Sequence, residues 1–302
     1  MRGAAGLLLL LLAAEARAQD QPKFPRDARG GANPYLTAAD EAYSRRQEGR
    51  VGPVASQRPI SEAIAAYQTA AEAPDNLEAR WKLLRAYAFK GVYTGLDPEP
   101  RLAVFLRAKR VADDAIGILA RRVGRRDGSD LWNLTPLARA DALARERDAA
   151  PTYFWSAVCW GQWALAVGKE QAASAGAAER IRDDAATVIA IDPQFEDGGG
   201  YRVLGRLHDQ AREISLLAGW VSREEALRNL RLAVSVERRN FANRHFLAEA
   251  LWRGSADERA EAVTLEEGLV RDSPSPQHLV EDLATQAEAK RNLEEWRKTK
   301  AP

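Results

Sequence analysis

Arg223-Glu224-Glu225-Ala226-Leu227-Arg228-Asn229-Leu230-Arg231-Leu232-Ala233-Val234 and, after a short break, Asn243-Arg244-His245-Phe246-Leu247-Ala248-Glu249-Ala250-Leu251 read as two successive helices. In the first, Ala226, Leu230 and Ala233 are spaced four and three apart, so a small, a large and a small side chain share one face. In the second, Asn243, Leu247 and Leu251 share a face, with small Ala248 beside Leu247. Small residues let two helices touch, and large ones fill the space beside the contact. That alternation is the pattern of tetratricopeptide units, helix pairs of about 34 residues in which no single pair buries its apolar face alone.

The same spacing appears upstream. Ala63, Tyr67 and Ala70 precede Pro74, and Ala79, Leu83 and Tyr87 follow, with Gly91 at the helix end. Ala260 stands 34 residues after Ala226, and Ile189-Ala190-Ile191-Asp192-Pro193 ends in the proline that stops a second helix. Helical periodicity predicts helices near 37–49, 60–73, 77–91, 101–122, 136–147, 152–168, 177–191, 199–210, 223–236, 240–253, 256–270 and 277–297, and no sustained strand alternation occurs. Thr37-x-x-Asp40, Ser222-x-x-Glu225 and Ser255-x-x-Glu258 have the spacing of capping boxes. The expected class is therefore all-α, a degenerate tetratricopeptide-like array of helical hairpins, or α-solenoid. Residues 101–150 match no unit well, Val92–Pro100 and Asp209–Trp220 read as inserted connections, and the mixed-charge end Lys290–Lys298 suits a terminal cap.

Composition narrows the function. With 44 basic and 43 acidic side chains the formal charge is +1, which gives no global field for nucleic acid. One cysteine makes no internal disulfide, and three histidines leave little for a metal site, so no metal or cofactor is expected. Met1-Arg2, the leucine run Leu7–Leu12 and Ala16-Arg17-Ala18 fit a secretory signal peptide over 1–18. Residues 19–36, with Pro22, Pro25, Gly30, Gly31 and Pro34, read as a linker before a helical domain at 37–302. Export to the periplasm is expected, with no stable membrane span after cleavage. Cys159 falls in the apolar stretch Phe154–Trp160 and reads as a buried small hydrophobe, with a bond between chains as the alternative.

Candidate site residues lie in two stretches. Thr152–Gly168 is uncharged and carries Tyr153, Trp155, Trp160 and Trp163, which suits a buried central helix or one wall of an apolar groove. Arg202 and Arg206 are four apart on the next-but-one helix, so they share a face and could fork onto a carboxylate. Gly198-Gly199-Gly200 lacks the Lys-Ser/Thr of a phosphate loop and reads instead as a turn and a close helix start. His208 and His245 belong to no metal or acid–base motif, and no catalytic residue is expected.

Gly199-Gly200-Tyr201-Arg202-Val203-Leu204-Gly205-Arg206-Leu207-His208, then Arg223–Val234, then Asn243–Leu251, preceded by Tyr153-Phe154-Trp155-Ser156-Ala157 and Trp160-Gly161-Gln162-Trp163, resemble in that order the T-component family of tripartite ATP-independent periplasmic transporters. The similarity spans roughly 60–270. It implies an exported helical-repeat scaffold that binds a protein partner, a periplasmic solute-binding subunit, and an apolar solute. The sequence departs from the family in lacking a lipid-bearing cysteine and in having Arg238 where a repeat usually places proline. A structural envelope-assembly protein without a ligand, or a cryptic hydrolase, are the alternative readings.

Overall fold

The computed structural model describes residues 34–211 and 219–299, so the expected signal peptide and nearly all of the expected linker lie outside the described residues. Thirteen α-helices account for most of what is described, and no strand occurs there; Val51 and Val54 form one isolated bridge. In order they are α1 (Pro34–Ser44), α2 (Gln57–Ala71), α3 (Leu77–Tyr93), α4 (Pro98–Asp127), α5 (Pro136–Ala142), α6 (Ala149–Val167), α7 (Lys169–Ser174), α8 (Ala177–Ile191), α9 (Phe195–Gln210), α10 (Arg223–Val236), α11 (Phe241–Trp252), α12 (Ala256–Arg271) and α13 (Leu279–Thr299). Short 3₁₀ turns lie at Leu131–Asn133 and Pro276–His278.

Side-chain chemistry sets the boundaries. Asn76, Thr135, Ser222 and Asn240 each accept a hydrogen bond from an amide in the first turn that follows, at Ala79, Ala138, Glu225 and Asn243. Ser255 and Glu258 form the full reciprocal box expected of them. Thr37 caps nothing, because α1 already begins at Pro34, inside the stretch expected to be linker. Left-handed Gly128 ends α4, which runs 30 residues through the region that fits no repeat unit.

Successive helices pack as neighbours: α1 on α2, α2 on α3, α3 on α4, then α8 on α9 and onward to α12 on α13. The uncharged helix α6 is central, touching α3, α4, α7, α8 and α9, while short α5 rests on α8. The expected small–large–small faces are the contact faces. Ala63, Tyr67 and Ala70, and Ala226, Leu230 and Ala233, are all fully buried, as are Ala79, Leu83 and Tyr87 to within a few per cent. The 34-residue spacing fails at the next unit. Ala260 is exposed, and Ala262 takes the buried position instead.

Glycines mark the tightest approaches. A Cβ on Gly91 would lie 2.3 Å from the Phe105 ring, one on Gly199 2.5 Å from the Phe154 ring, and one on Gly205 2.7 Å from Leu230. Backbone and side chain therefore meet directly where α3 meets α4, α6 meets α9, and α9 meets α10. Phe154 is a hub: its ring meets Trp155 at 4.9 Å and Phe195 at 5.5 Å, both edge-on.

The last helix is more than a cap, since it also packs against α3 near the start of the chain. Arg46, after α1, donates to the carbonyl of Gln277 at 2.6 Å and to Glu281 at 3.1 Å. Gln47 donates to the Pro276 carbonyl at 3.1 Å and accepts from the Val280 amide at 2.9 Å. Stacked Trp252 and Trp296, 4.3 Å apart and nearly parallel, fasten α13 to α11. First and last elements thus meet, and the helices curl around a central cavity of about 2090 Å³.

Two substitutions separate tight from open glycine. Gly199→Ala drives a methyl into the Phe154 ring and is expected to lower unfolding free energy by about 1–3 kcal/mol. Gly161→Ala, in the middle of α6 with nothing within 4 Å of its Cβ, is expected to raise it by about 0.5–1 kcal/mol. Urea unfolding followed by circular dichroism reads both signs.

Candidate functional site

The cavity wall draws on alternate helices towards its two ends and on four consecutive ones between. Residues of α1, α3, α6, α9, α11 and α13 line it, joined by Ala172 and Ala173 of α7 and Ala177, Ala178 and Ile181 of α8, whereas α2, α4, α5, α10 and α12 contribute none. On α3 the lining residues Lys82, Arg85, Phe89 and Val92–Tyr93 recur every three or four positions, the stripe of a single face. On α6 the stripe is Phe154–Trp155, Val158, Gly161–Gln162 and Leu165. On α9 it is Arg202–Val203, Arg206–Leu207 and Gln210.

The sequence-derived candidates divide between this wall and the packing behind it. Trp155, Arg202 and Arg206 line the cavity. Tyr153, Trp160 and Trp163 do not. Tyr153 is 2% exposed and packs with Ile116, Leu119 and Val188. Trp160 and Trp163 meet edge-on at 5.6 Å beneath α4, with the Lys109 ammonium 3.8 Å and 3.3 Å from their ring centres. The helix has apolar side chains all round because it is enclosed on most sides, so its tryptophans could not be sorted by residue type alone. Cys159 is fully buried, its Sγ 3.5 Å from the Leu84 carbonyl, and burial pushes the thiol pKa well up. The bland reading of this residue thus fits its surroundings.

Arg202 is a wall cation held by neutral groups. Its Nη1 donates to Asn243 Oδ1 at 2.8 Å and to the Glu196 carbonyl at 3.2 Å, and no carboxylate pairs with it among the described residues. Burial pulls its pKa down, against the more distant charges of Glu196 and Asp197. The carbonyl it grips belongs to a strained segment, with Glu196, Asp197 and Gly198 at φ of 49°, 59° and 79°. Asn240 donates to Asp197 Oδ2 and Asn243 donates to the Asp197 carbonyl, both at 2.9 Å, which holds the turn in place. Arg206, by contrast, pairs with Glu249 and with Asp209.

Residues not anticipated from the sequence complete the wall. The Tyr43 ring lies between two guanidinium groups, Arg85 at 4.0 Å and Arg46 at 4.8 Å from its centre. Burial raises the pKa of the Tyr43 and Tyr93 hydroxyls, so both stay protonated donors at neutral pH. The Trp155 indole N–H has no hydrogen-bond partner.

His245 sits in an acidic cage between α11, α12 and α13. Its Nδ1 is 3.0 Å from Glu266 and its Nε2 is 3.2 Å from Glu288 and 3.8 Å from Glu249. Burial opposes the charged ring, but hydrogen bonds to Glu266 and Glu288 and the carboxylate charges outweigh it and hold the pKa at about 9. A signal did exist. Ala262, Glu266 and Leu269 repeat the four-and-three spacing with a carboxylate in the middle position, and all three are fully buried. Among the described residues no group of three or more His, Cys, Asp or Glu side chains is placed to hold a metal ion. Nor is any described helix long and apolar enough to cross a membrane. Compared with protein-family models and with curated proteins, the sequence matches none.

The cage fixes a pH dependence. A folded pKa of about 9 against an unfolded value near 6.5 means the contribution is complete below about pH 6.5 and is lost as pH climbs through 9. His245→Gln leaves the buried Glu266 uncompensated and is expected to cost about 3 kcal/mol at pH 6. The gap between wild type and variant should narrow steadily towards pH 10 in urea titrations.

Proposed function

We propose that this chain is an exported, non-enzymatic scaffold of stacked helical hairpins that encloses an apolar solute and binds a protein partner. The observation that carries this reading is the cavity wall, to which α1, α3, α11 and α13 contribute while α2, α4, α10 and α12 do not, with α6 to α9 all contributing between them. Alternation of that kind at the two ends is what stacking of hairpins produces, with inner helices forming a concave surface and outer helices supporting it. The irregular members, long α4 with short α5 and the extra helix α7, make it a degenerate array. At about 2090 Å³ the cavity is at least twice the size of a usual small-molecule site. Phe89, Phe154, Trp155, Phe241 and Phe246 give it the aromatic lining such sites use.

The resemblance to the T components of tripartite periplasmic transporters supports the same reading and supplies the partner class, a periplasmic solute-binding subunit. A docking face away from the cavity is favoured by Trp132 and Leu137, which are 53% and 68% exposed and lie close together in sequence beside α5. Assembly through that face without any ligand is the second reading. The signal-like leader at residues 1–18 supports a periplasmic location for the mature chain.

Filling the cavity separates the two. Gly161 lines it with open space around its Cβ, so Gly161→Trp starts a bulky side chain from an uncrowded position on the wall. An apolar fluorescent probe is expected to bind the wild type and to lose at least tenfold in affinity on Gly161→Trp. Unchanged binding would move the reading to assembly alone. Trp132→Ala is expected to leave the probe untouched and to weaken co-purification with a solute-binding subunit.

A further inference from the structure

The wall of the cavity is not uniform, and one sector of it has the polarity of a particular kind of molecule. Between α6 and α9 runs an apolar trough formed by Trp155, Val158 and Leu165 on one side and Val203 and Leu207 on the other. From Trp155 to Leu165 the trough is about 15 Å long, at 1.5 Å per helical residue. Leu165 is 67% exposed, a large apolar side chain left open inside the cavity. At the opposite end stands Arg202, its guanidinium 5.9 Å from the centre of the Phe154 ring.

That end has donors to spare and few acceptors. Arg202 spends Nη1 on Asn243 and on the Glu196 carbonyl, which leaves Nε and Nη2 without a protein acceptor. The neighbouring Trp155 N–H is likewise unpartnered. Most carboxylates on the wall are engaged elsewhere: Asp40 with Lys82, Asp272 with Arg244, Glu281 with Arg46, and Glu288 with His245. Asp282 accepts from the Ser275 amide and Asp197 from Asn240. Glu196 acts on Arg202 only from beyond pairing distance. Two other wall guanidinium groups have no carboxylate partner: Arg85 lies against the Tyr43 and Trp81 rings, at 4.0 Å and 5.3 Å, and Arg239 is exposed in the connection between α10 and α11.

We infer that the solute is an anionic amphiphile, an unbranched chain with one terminal carboxylate, bound with its headgroup on Arg202 and its tail along α6 towards Leu165. The inference rests on the proposed ligand-binding role and specifies its ligand class. A guanidinium receives a carboxylate through two parallel N–H donors, and Arg202 has two free on one edge. The strained turn at Glu196–Gly198 positions the arginine, since its carbonyl fixes Nη1 and leaves the rest of the fork aimed at the cavity.

Decanoate, decanol and decyltrimethylammonium, each below its micelle concentration, share one tail and differ in head charge. Titrated against the full chain by calorimetry and by tryptophan fluorescence, decanoate is expected to bind at least about tenfold tighter than decanol, and the cation more weakly still. Arg202→Gln should bring decanoate down to the level of decanol while leaving decanol itself unchanged, and Arg202→Lys should fall between. Leu165→Asp, at an exposed position with no folding role, should weaken decanoate by about tenfold through its charge at the tail end. Equal affinity for decanoate and decanol, preference for the cation, or full decanoate binding by Arg202→Gln would overturn the anion assignment and leave the cavity as a purely apolar site. Failure of all three amphiphiles to bind would instead remove the ligand-binding role beneath it.

Discussion

The Phe154 ring laid against the bare backbone of Gly199 is the contact on which the rest of the molecule turns. It sets how closely α6 approaches α9, with no room for even one methyl group between them. The same approach puts Phe195 and Trp155 edge-on against the ring and brings the Arg202 guanidinium over its face. Because interiors are packed as densely as organic crystals, a displacement here has nowhere to be absorbed locally. It would pass to the trough between the two helices and to the turn that carries Arg202. The fold and the site therefore share one determinant, and the glycine that looks like a flexible element in the sequence acts as a rigid one.

Closure at the ends is the second constraint. The segments at the two ends of the described fold meet. Arg46 and Gln47 join the segment Pro276–Glu281 through five hydrogen bonds, and α13 reaches α3 as well as α11 and α12. This contact brings both ends of the described fold to the rim of one open cavity. It also explains why the last helix carries so many charges: it is at once a lid over the stack, a partner for His245 through Glu288, and part of the cavity wall.

Much of this was legible in the sequence, and the remainder was hidden for identifiable reasons. The helical class, most helix boundaries and the buried faces at Ala63–Tyr67–Ala70 and Ala226–Leu230–Ala233 follow from periodicity, because a local spacing fixes which residues share a face. Periodicity gives no information where a helix is enclosed on several sides. In α6 the residues Tyr153, Trp160 and Trp163 are indistinguishable by type from Trp155, yet only the last looks into the cavity. Short α7 escaped notice because six residues give less than two turns of pattern. The match of Ala260 to Ala226 was a coincidence of spacing, since the helices had shifted register and placed Ala262 inward. Meeting of the two chain ends is a long-range event with no local sequence signature at all.

Arginine shows how the site differs from its scaffold. Several guanidinium groups in this chain pair with carboxylates: Arg180 with Asp184 and Asp113, Arg253 with Asp209, Arg244 with Asp272. Buried Arg139 is met instead by the carbonyls of Leu131 and Leu134 and the Thr187 hydroxyl, which use all three of its guanidinium nitrogens. Half-buried Arg202 has neutral acceptors at one nitrogen only, at the place where the backbone also departs from its preferred conformations, in three successive left-handed residues of which two are not glycine. Each departure carries its own cost, and both are maintained by the same two side chains, Asn240 and Asn243, reaching across from the start of α11. Strain that persists because neighbouring groups over-determine it is characteristic of positions held for a purpose other than stability. A cation without a carboxylate partner and a strained turn thus coincide at one point of the wall, held by the same two asparagines.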